Sequence, residues 1–279
     1  MKIVVRSVDP ARDSEGIARV VRDEDYLPWA KPDSCLGELA RAQARGIYQT
    51  VALADGMVAG FSVWNEDAER GEAFLYLSML HVDMELRSRG IGAAILADAA
   101  RHAGSAGISV LRTMPEGDRS LQFYRRNGFD VKDYLDGFRC ATQAGAFAAE
   151  EIAAPSVDMI DGLEFVFGLS QASPRFMFHL CDSHIQALRG YPVRSFWLRG
   201  GLAHLRYPKG KIETAQVLYW SGAVPTKETL AELLALGHSL GFEALEFEYR
   251  RKYAGLFAGR ENLWLGDNSE IVLEKNILL

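Results

Sequence analysis

From Met1 to Val8, Ile3, Val5 and Ser7 alternate with Val4, Arg6 and Val8, a mixed pattern that predicts a strand buried on one face and partly on the other. Asp13-Ser14 then offers an N-cap ahead of Ile17, Val20 and Val21, which have the spacing of one helix face. A second helix is predicted around Cys35 to Arg45, and the acidic, aromatic, Pro-broken stretch from Asp23 to Trp29 reads as the loop between them. Gln49 to Ala54 and Met57 to Trp64 are β-rich runs joined by Asp55-Gly56, a dipeptide that supplies the positive φ angles of a tight hairpin turn. After the charged segment Glu66 to Glu72 come a long strand (Ala73 to Val82), a helix (Gly90 to Ala106), a strand (Ser109 to Met114) and a helix (Arg119 to Asn127). A last pair of strands follows from Phe129.

The small-residue, Ala-rich stretch Gln143 to Pro155 separates regions of different character and sets the expected domains at 1–145 and 156–279. The second half reads as helical up to Arg189. Strands are expected at Ser195 to Arg199, Ala203 to Tyr207 and Thr214 to Ser221, a helix at Thr226 to Leu240 and a strand at Leu245 to Arg250. A final extended segment, Glu270 to Leu273, closes it.

At 279 residues the chain suits one large domain or two ordinary ones, and 48% hydrophobic with 24% charged residues can bury a core. A formal net charge of -6 gives no general attraction to nucleic acid or to an anionic membrane. Met1 to Asp13 has no apolar core of signal-peptide length, and an apolar run such as Phe74 to Leu80 is too short to span a bilayer, so a cytoplasmic protein is expected. Cys35, Cys140 and Cys181 are widely separated, without CxxC spacing, and read as buried small hydrophobes. The histidines form no HExxH or other ligand spacing, and no metal is expected.

The informative stretch is Leu80-His81-Val82-Asp83-Met84-Glu85-Leu86-Arg87-Ser88-Arg89-Gly90-Ile91-Gly92-Ala93, a strand passing through a turn into a helix. Its core, Arg87-x-x-Gly90-x-Gly92, leaves a helix N-terminus clear of side chains, so backbone N–H groups and the helix dipole can face a pyrophosphate. Glycine at both positions lets an anion approach the backbone and accommodates positive φ. A plain strand-to-helix connection would have the same composition, so the turn alone decides nothing. GxGxxG and GK[ST] patterns are absent.

The arrangement Val82-x-x-x-x-Arg87-x-x-Gly90-x-Gly92 resembles the acetyl-CoA pyrophosphate motif of the GNAT superfamily of N-acetyltransferases. Downstream, Phe123-Tyr124-x-x-x-Gly128-Phe129 matches a second signature of that family, and the resemblance covers about Met1 to Thr142. It implies an α+β fold, a central mixed sheet flanked by helices, with acetyl-CoA held by Leu80, Val82, Arg87, Ser88, Arg89, Gly90, Ile91, Gly92 and Ala93. It also implies that Tyr124 protonates the departing coenzyme A thiolate, and that backbone groups of Leu80 and Val82 meet the pantetheine amides and the acetyl carbonyl. One departure stands out: many relatives carry Asn near the start of the second-motif helix, where this chain has Gly117 and Asp118.

The base that takes the amine's proton is open among Glu72, Ser78 and His81, and Glu24 and Asp25 are further acidic groups in a loop where such enzymes build the acceptor pocket. Tyr26, Trp29 and Trp64 could surround a cationic amine there. The second half repeats the order of elements of the first without its motifs, which suggests a degenerate GNAT-like domain, an unrelated α+β domain being the alternative. The expected activity is direct acetyl transfer to a small-molecule amine in a ternary complex; a protein acetyltransferase and a non-catalytic acyl-CoA sensor are the rivals. A homodimer is left open.

Overall fold

The structure, a computed structural model, describes residues 1–22, 28–168, 172–181, 190–264 and 269–277. The chain forms two compact units. Unit 1 takes in Met1–Glu66, Ala73–Asp130 and Leu273–Leu279, and unit 2 takes in Asp67–Glu72 and Val131–Val272. The division is therefore no single cut in the chain.

In unit 1 the chain runs β1 (Ile3–Ser7), α1 (Pro10–Val20), α2 (Pro32–Ala44), β2 (Tyr48–Ala54), β3 (Met57–Glu69), β4 (Glu72–Val82), α3 (Ile91–Ser105), β5 (Val110–Thr113) and α4 (Asp118–Arg126). Helix α1 starts upstream of the expected Asp13-Ser14 cap. Asp9 is its N-cap, accepting the N–H groups of Ala11 at 3.2 Å and Arg12 at 3.4 Å, and Pro10 supplies a preset φ at the first helical position. Asp13 is instead buried and grips Arg6 through hydrogen bonds of 2.6 and 2.7 Å. The Asp55-Gly56 turn forms as expected, with φ of 49° and 88°. The charged segment after Trp64 is not a separator: β3 continues to Glu69, and Arg70-Gly71 turns it back into β4 with φ of 54° and 80°.

The sheet order is β1-β2-β3-β4-β5 and then the end of β13 (Ser269–Asn276), with Leu273 to Asn276 paired antiparallel to β5. Strands β1 to β3 are antiparallel, whereas β4 and β5 are parallel. Side chains alternate across the sheet. Val51, Phe61 and Val63 therefore pack with Ile17, Val21, Cys35 and Leu39, while Ala52, Ala54 and Ala59 pack with Ile91 and Ile95 of α3. Small residues on that second face let α3 lie close.

Unit 2 contains β6 (Asp130–Ala141), β7 (Ala149–Glu151), β8 (Glu164–Gly168), α5 (Pro174–Leu180), β9 (Val193–Leu198), β10 (Gly201–Arg206), β11 (Thr214–Ser221), α6 (Lys227–Ser239) and β12 (Ala244–Arg250). The strand order is β6-β12-β8-β11-β10-β9-β7. Leu230, Leu233 and Leu234 of α6 pack on Val217, Leu245 and Phe247. The segment expected to be helical up to Arg189 contains a strand, because Glu164-Phe165-Val166-Phe167-Gly168 is aromatic and β-branched and all five residues are buried. Within it a 3-10 turn at Val157–Ile160 and α5, capped by Ser173, are helical among the described residues, and 182–189 lie outside them.

Candidate active site

Strands β4 and β5 stay together for three register pairs, Leu75 with Leu111, Tyr76 with Arg112 and Leu77 with Thr113. Beyond them β4 runs on to Val82 while the chain leaves β5. The resulting wedge is a cavity of about 170 Å³. One wall is Leu77, Ser78, Met79, Leu80 and His81; the other is Thr113, Met114, Glu116, Ser120 and Tyr124.

Tyr124 is 6% exposed, its ring edge-on to Phe123 at 5.2 Å and to Phe129 at 5.4 Å, so the second motif is also the packing that fixes this phenol. Burial pushes the hydroxyl's pKa up to about 12; a hydrogen bond with the Thr113 side chain draws it down, and the nearby Glu116 carboxylate raises it. The group therefore holds its proton at any working pH.

Ser78 accepts from Asn65 Nδ2 at 3.0 Å and donates to the Val63 carbonyl at 3.2 Å, which ties its hydroxyl to β3. His81 is half-buried and lines the wedge. Glu72 does not reach it: it is exposed at the start of β4, five positions before Leu77, or about 16 Å along a strand. Met79, Thr113, Met114, Glu116 and Ser120 were not singled out from the sequence, because only the divergence of β4 from β5 gives them a common space.

At the other end of β4, Arg87 Nε donates to the Val82 carbonyl at 3.1 Å and closes the turn, within which Ser88 has φ of 64° and Gly90 of 86°. Gly90 is the N-cap of α3 and no side chain caps that helix, so the first N–H groups, from Ile91 to Ala93, have no side-chain cap. Arg87, Ser88 and Arg89 are exposed beside them. An anionic pyrophosphate fits this donor set: free helix N–H groups, the positive dipole end and two guanidinium groups. The two glycines have different causes. A Cβ on Gly90 would stand in open space and only φ demands glycine, whereas a Cβ on Gly92 would come within 2.9 Å of the Phe123 ring.

The aromatic residues expected around an amine are dispersed. Trp64 is fully buried with Nε1 donating to Ser62 Oγ at 2.8 Å, and Trp29 packs on Phe61 at 5.5 Å between centroids. Neither lines the wedge. Tyr26, Glu24 and Asp25 lie outside the described residues. At the second-motif helix, Gly117 offers no side chain, and the Ser120 hydroxyl instead accepts its N–H at 3.1 Å and donates to its carbonyl at 2.8 Å. All three cysteines are buried, and burial pushes the thiols of Cys35 and Cys140 up to about 11 and that of Cys181 up to about 12, which makes them inert. Among the described residues no group of three or more His, Cys, Asp or Glu could hold a metal, and no helix is long and apolar enough to cross a membrane.

Residues 15–129 match the family model for the acetyltransferase (GNAT) family. Residues 15–129 form a GNAT acetyltransferase domain. Members of this family use acetyl-CoA, and the uncapped start of α3 fits its pyrophosphate. Similar folds recur in a GCN5-related N-acetyltransferase from Anabaena variabilis, at 10% identity and a TM-score of 0.72, over 99% of this chain and 73% of that one. A GCN5-related N-acetyltransferase from Kribbella flavida has 12% identity and a TM-score of 0.68 over 99% and 72%. A probable N-acyltransferase from Enterococcus faecalis has 10% and 0.64 over 99% and 73%. These likenesses extend over both units of the chain. No curated protein sequence matches it. The chain carries an acyltransferase of the GNAT type.

Proposed function

We propose that unit 1 transfers the acetyl group of acetyl-CoA to the primary amine of a small molecule, by direct attack within a ternary complex. The observation that carries this reading is the placement of Tyr124 on the wall of the wedge whose other wall, β4, leads into the uncapped start of α3. Bound acetyl-CoA supplies a thioester, an acetyl group already activated toward an amine.

The N–H groups of Ile91 to Ala93, with Arg87 and Arg89, hold the pyrophosphate. Ser88 and Gly90 shape the turn through their positive φ. Backbone groups of Leu80 and Val82, on the part of β4 that β5 has left, align the pantetheine amides and polarise the acetyl carbonyl. Tyr124 donates a hydrogen bond from its hydroxyl to the sulfur as negative charge collects there. Its raised pKa makes full proton transfer to the departing thiolate, whose thiol has an ordinary pKa near 8.5, uphill, so stabilising the thiolate is its main contribution. His81, half-buried on the opposite wall, is the side chain best placed to receive the amine's proton, ahead of Ser78 and Glu72.

A small acceptor is favoured by the additional unit, which an enzyme acting on protein chains does not need. The buried, inert thiols suit a reducing compartment, and we assign the protein to the cytoplasm. The test is release of free coenzyme A thiol on a panel of amines: small amino compounds should turn over, with peptides much slower. Binding of acetyl-CoA without turnover of any amine would instead favour a sensor.

A further inference from the structure

We propose that unit 2 is built as a second GNAT-type sheet whose acyl slot is closed by its own strand β8, so that each chain binds a single acyl-CoA, in unit 1. The proposal rests on the wedge of unit 1 being the acyl-CoA slot. With β8 set aside, the two units have the same strand plan. The order β1-β2-β3-β4-β5-β13 of unit 1 corresponds to β7-β9-β10-β11-β12-β6 of unit 2. Each plan contains one parallel pair, β4 with β5 and β11 with β12, and a helix, α3 or α6, connects that pair.

Both parallel pairs diverge after three register pairs. In unit 2 these are Thr214 with Ala244, Ala215 with Leu245 and Gln216 with Glu246. Past that point unit 1 has its cavity of about 170 Å³, whereas unit 2 has β8, paired antiparallel to both edges. Tyr219 and Trp220 on β11 face Phe167 and Phe165, and Glu248 and Tyr249 on β12 face Gly168 and Phe167. The void left around β8 is about 10 Å³, room for about one water. Phe165 folds over Gly168 so closely that a Cβ there would lie 1.7 Å from its ring.

The entry of β8 is fastened by charge. Glu164, 5% exposed, accepts from Lys252 at 2.8 Å and from the Tyr253 hydroxyl at 2.6 Å, and is paired with Arg70. Burial raises its pKa, but these partners more than offset that and hold it below the usual range, so it is ionised at neutral pH.

An independent difference lies at the helix. Where α3 begins with bare N–H groups, α6 begins with a reciprocal cap: Thr229 N donates to Thr226 Oγ1 at 3.3 Å and Thr226 N donates to Thr229 Oγ1 at 3.2 Å. Glu228 adds an anion in the first turn, where a pyrophosphate would sit. Both halves of an acyl-CoA site, the arm's slot and the anion's cradle, are thus taken by the chain itself.

The test uses the full chain. Calorimetry with acetyl-CoA should give one equivalent for the wild type and none for Gly90→Glu, and hydrogen exchange at 165–167 should be slow and unchanged by saturating acetyl-CoA. Two equivalents, or one retained by Gly90→Glu, overturns the proposal. Fast exchange at 165–167 overturns it too. A wild type that binds no acetyl-CoA sinks the reading of unit 1, and the exchange rate then still decides whether β8 is a lodged strand.

Discussion

Arg112 of β5 and Glu274 of β13, 162 residues apart, stand opposite each other in register and form a buried ion pair: Arg112 Nε donates to Glu274 Oε1 at 2.8 Å. Their side chains are 3% and 10% exposed, and the guanidinium lies 3.7 Å over the Phe74 ring. Removing one partner of such a pair takes from the other charge its close counter-ion, so Glu274→Met or Arg112→Met should cost up to about 3–5 kcal/mol of unfolding free energy. Arg112→Met with Glu274→Met should recover most of the loss. Denaturant unfolding of the three variants checks this, and additive losses in the double variant would contradict it.

Because β13 supplies the strand beside β5, unit 1 is incomplete without the end of the chain. A fragment spanning 1–145 should expose the β5 edge, lose cooperative unfolding and bind acetyl-CoA poorly. Addition of the separate peptide 269–279 should restore part of the binding. Wild-type affinity in the bare fragment, read by calorimetry, would show that β13 is dispensable.

The two glycines of the first motif should separate under mutation. Gly92→Ala pushes a Cβ against the Phe123 ring and should lower Tm, with Phe123→Leu relieving it. Gly90→Ala meets no atom closer than 4.0 Å, but its φ of 86° should cost about 1–2 kcal/mol. Gly90→Glu should abolish acetyl-CoA binding by adding bulk and like charge at the pyrophosphate. Thermal melts and calorimetry on these four variants distinguish packing, backbone and ligand effects.

His204 of β10 is 1% exposed, lies 5.4 Å from Phe178 and 5.1 Å from Trp220 between ring centroids, and its Nδ1 has no hydrogen-bond partner among the described residues. Burial lowers its pKa to about 4, and a hydrogen bond with the Ala203 backbone acts in the opposite direction. The unfolded chain, with an ordinary pKa near 6.5, binds the proton first, so stability is full above pH 6.5 and falls between pH 6.5 and 4, by roughly 3 kcal/mol. His204→Leu should flatten that part of the stability curve relative to the wild type. An unchanged slope would show that His204 is not the group responsible.

Much of unit 1 was legible because its signals are local. Alternation, the Asp55-Gly56 turn and helix spacing each depend on a few neighbouring residues, and the second motif places Tyr124 in the wall of the wedge. The start of α1 is ambiguous in sequence because Asp9-Pro10 and Asp13-Ser14 both resemble caps, and only the Arg6 pairing shows that Asp13 is used inside. The lining residues Met114, Glu116 and Ser120, like the roles of β8 and β13, depend on pairings between distant segments, which no short window of sequence contains. Trp64 illustrates the converse: an aromatic residue of the right chemistry for a cation is taken by the core.

The most direct test of the central claim is the pH–rate profile of Tyr124→Phe against the wild type on the best amine found. The phenylalanine keeps the edge-on packing with Phe123 and Phe129 and deletes only the hydroxyl. The expected result is unchanged acetyl-CoA affinity, a kcat lower by about 10–10³-fold, and no basic limb below about pH 10 that is present in the wild type and lost in the variant, since the phenol titrates near 12. An equally fast Tyr124→Phe enzyme at every pH would contradict the role given to Tyr124 and the mechanism built around it.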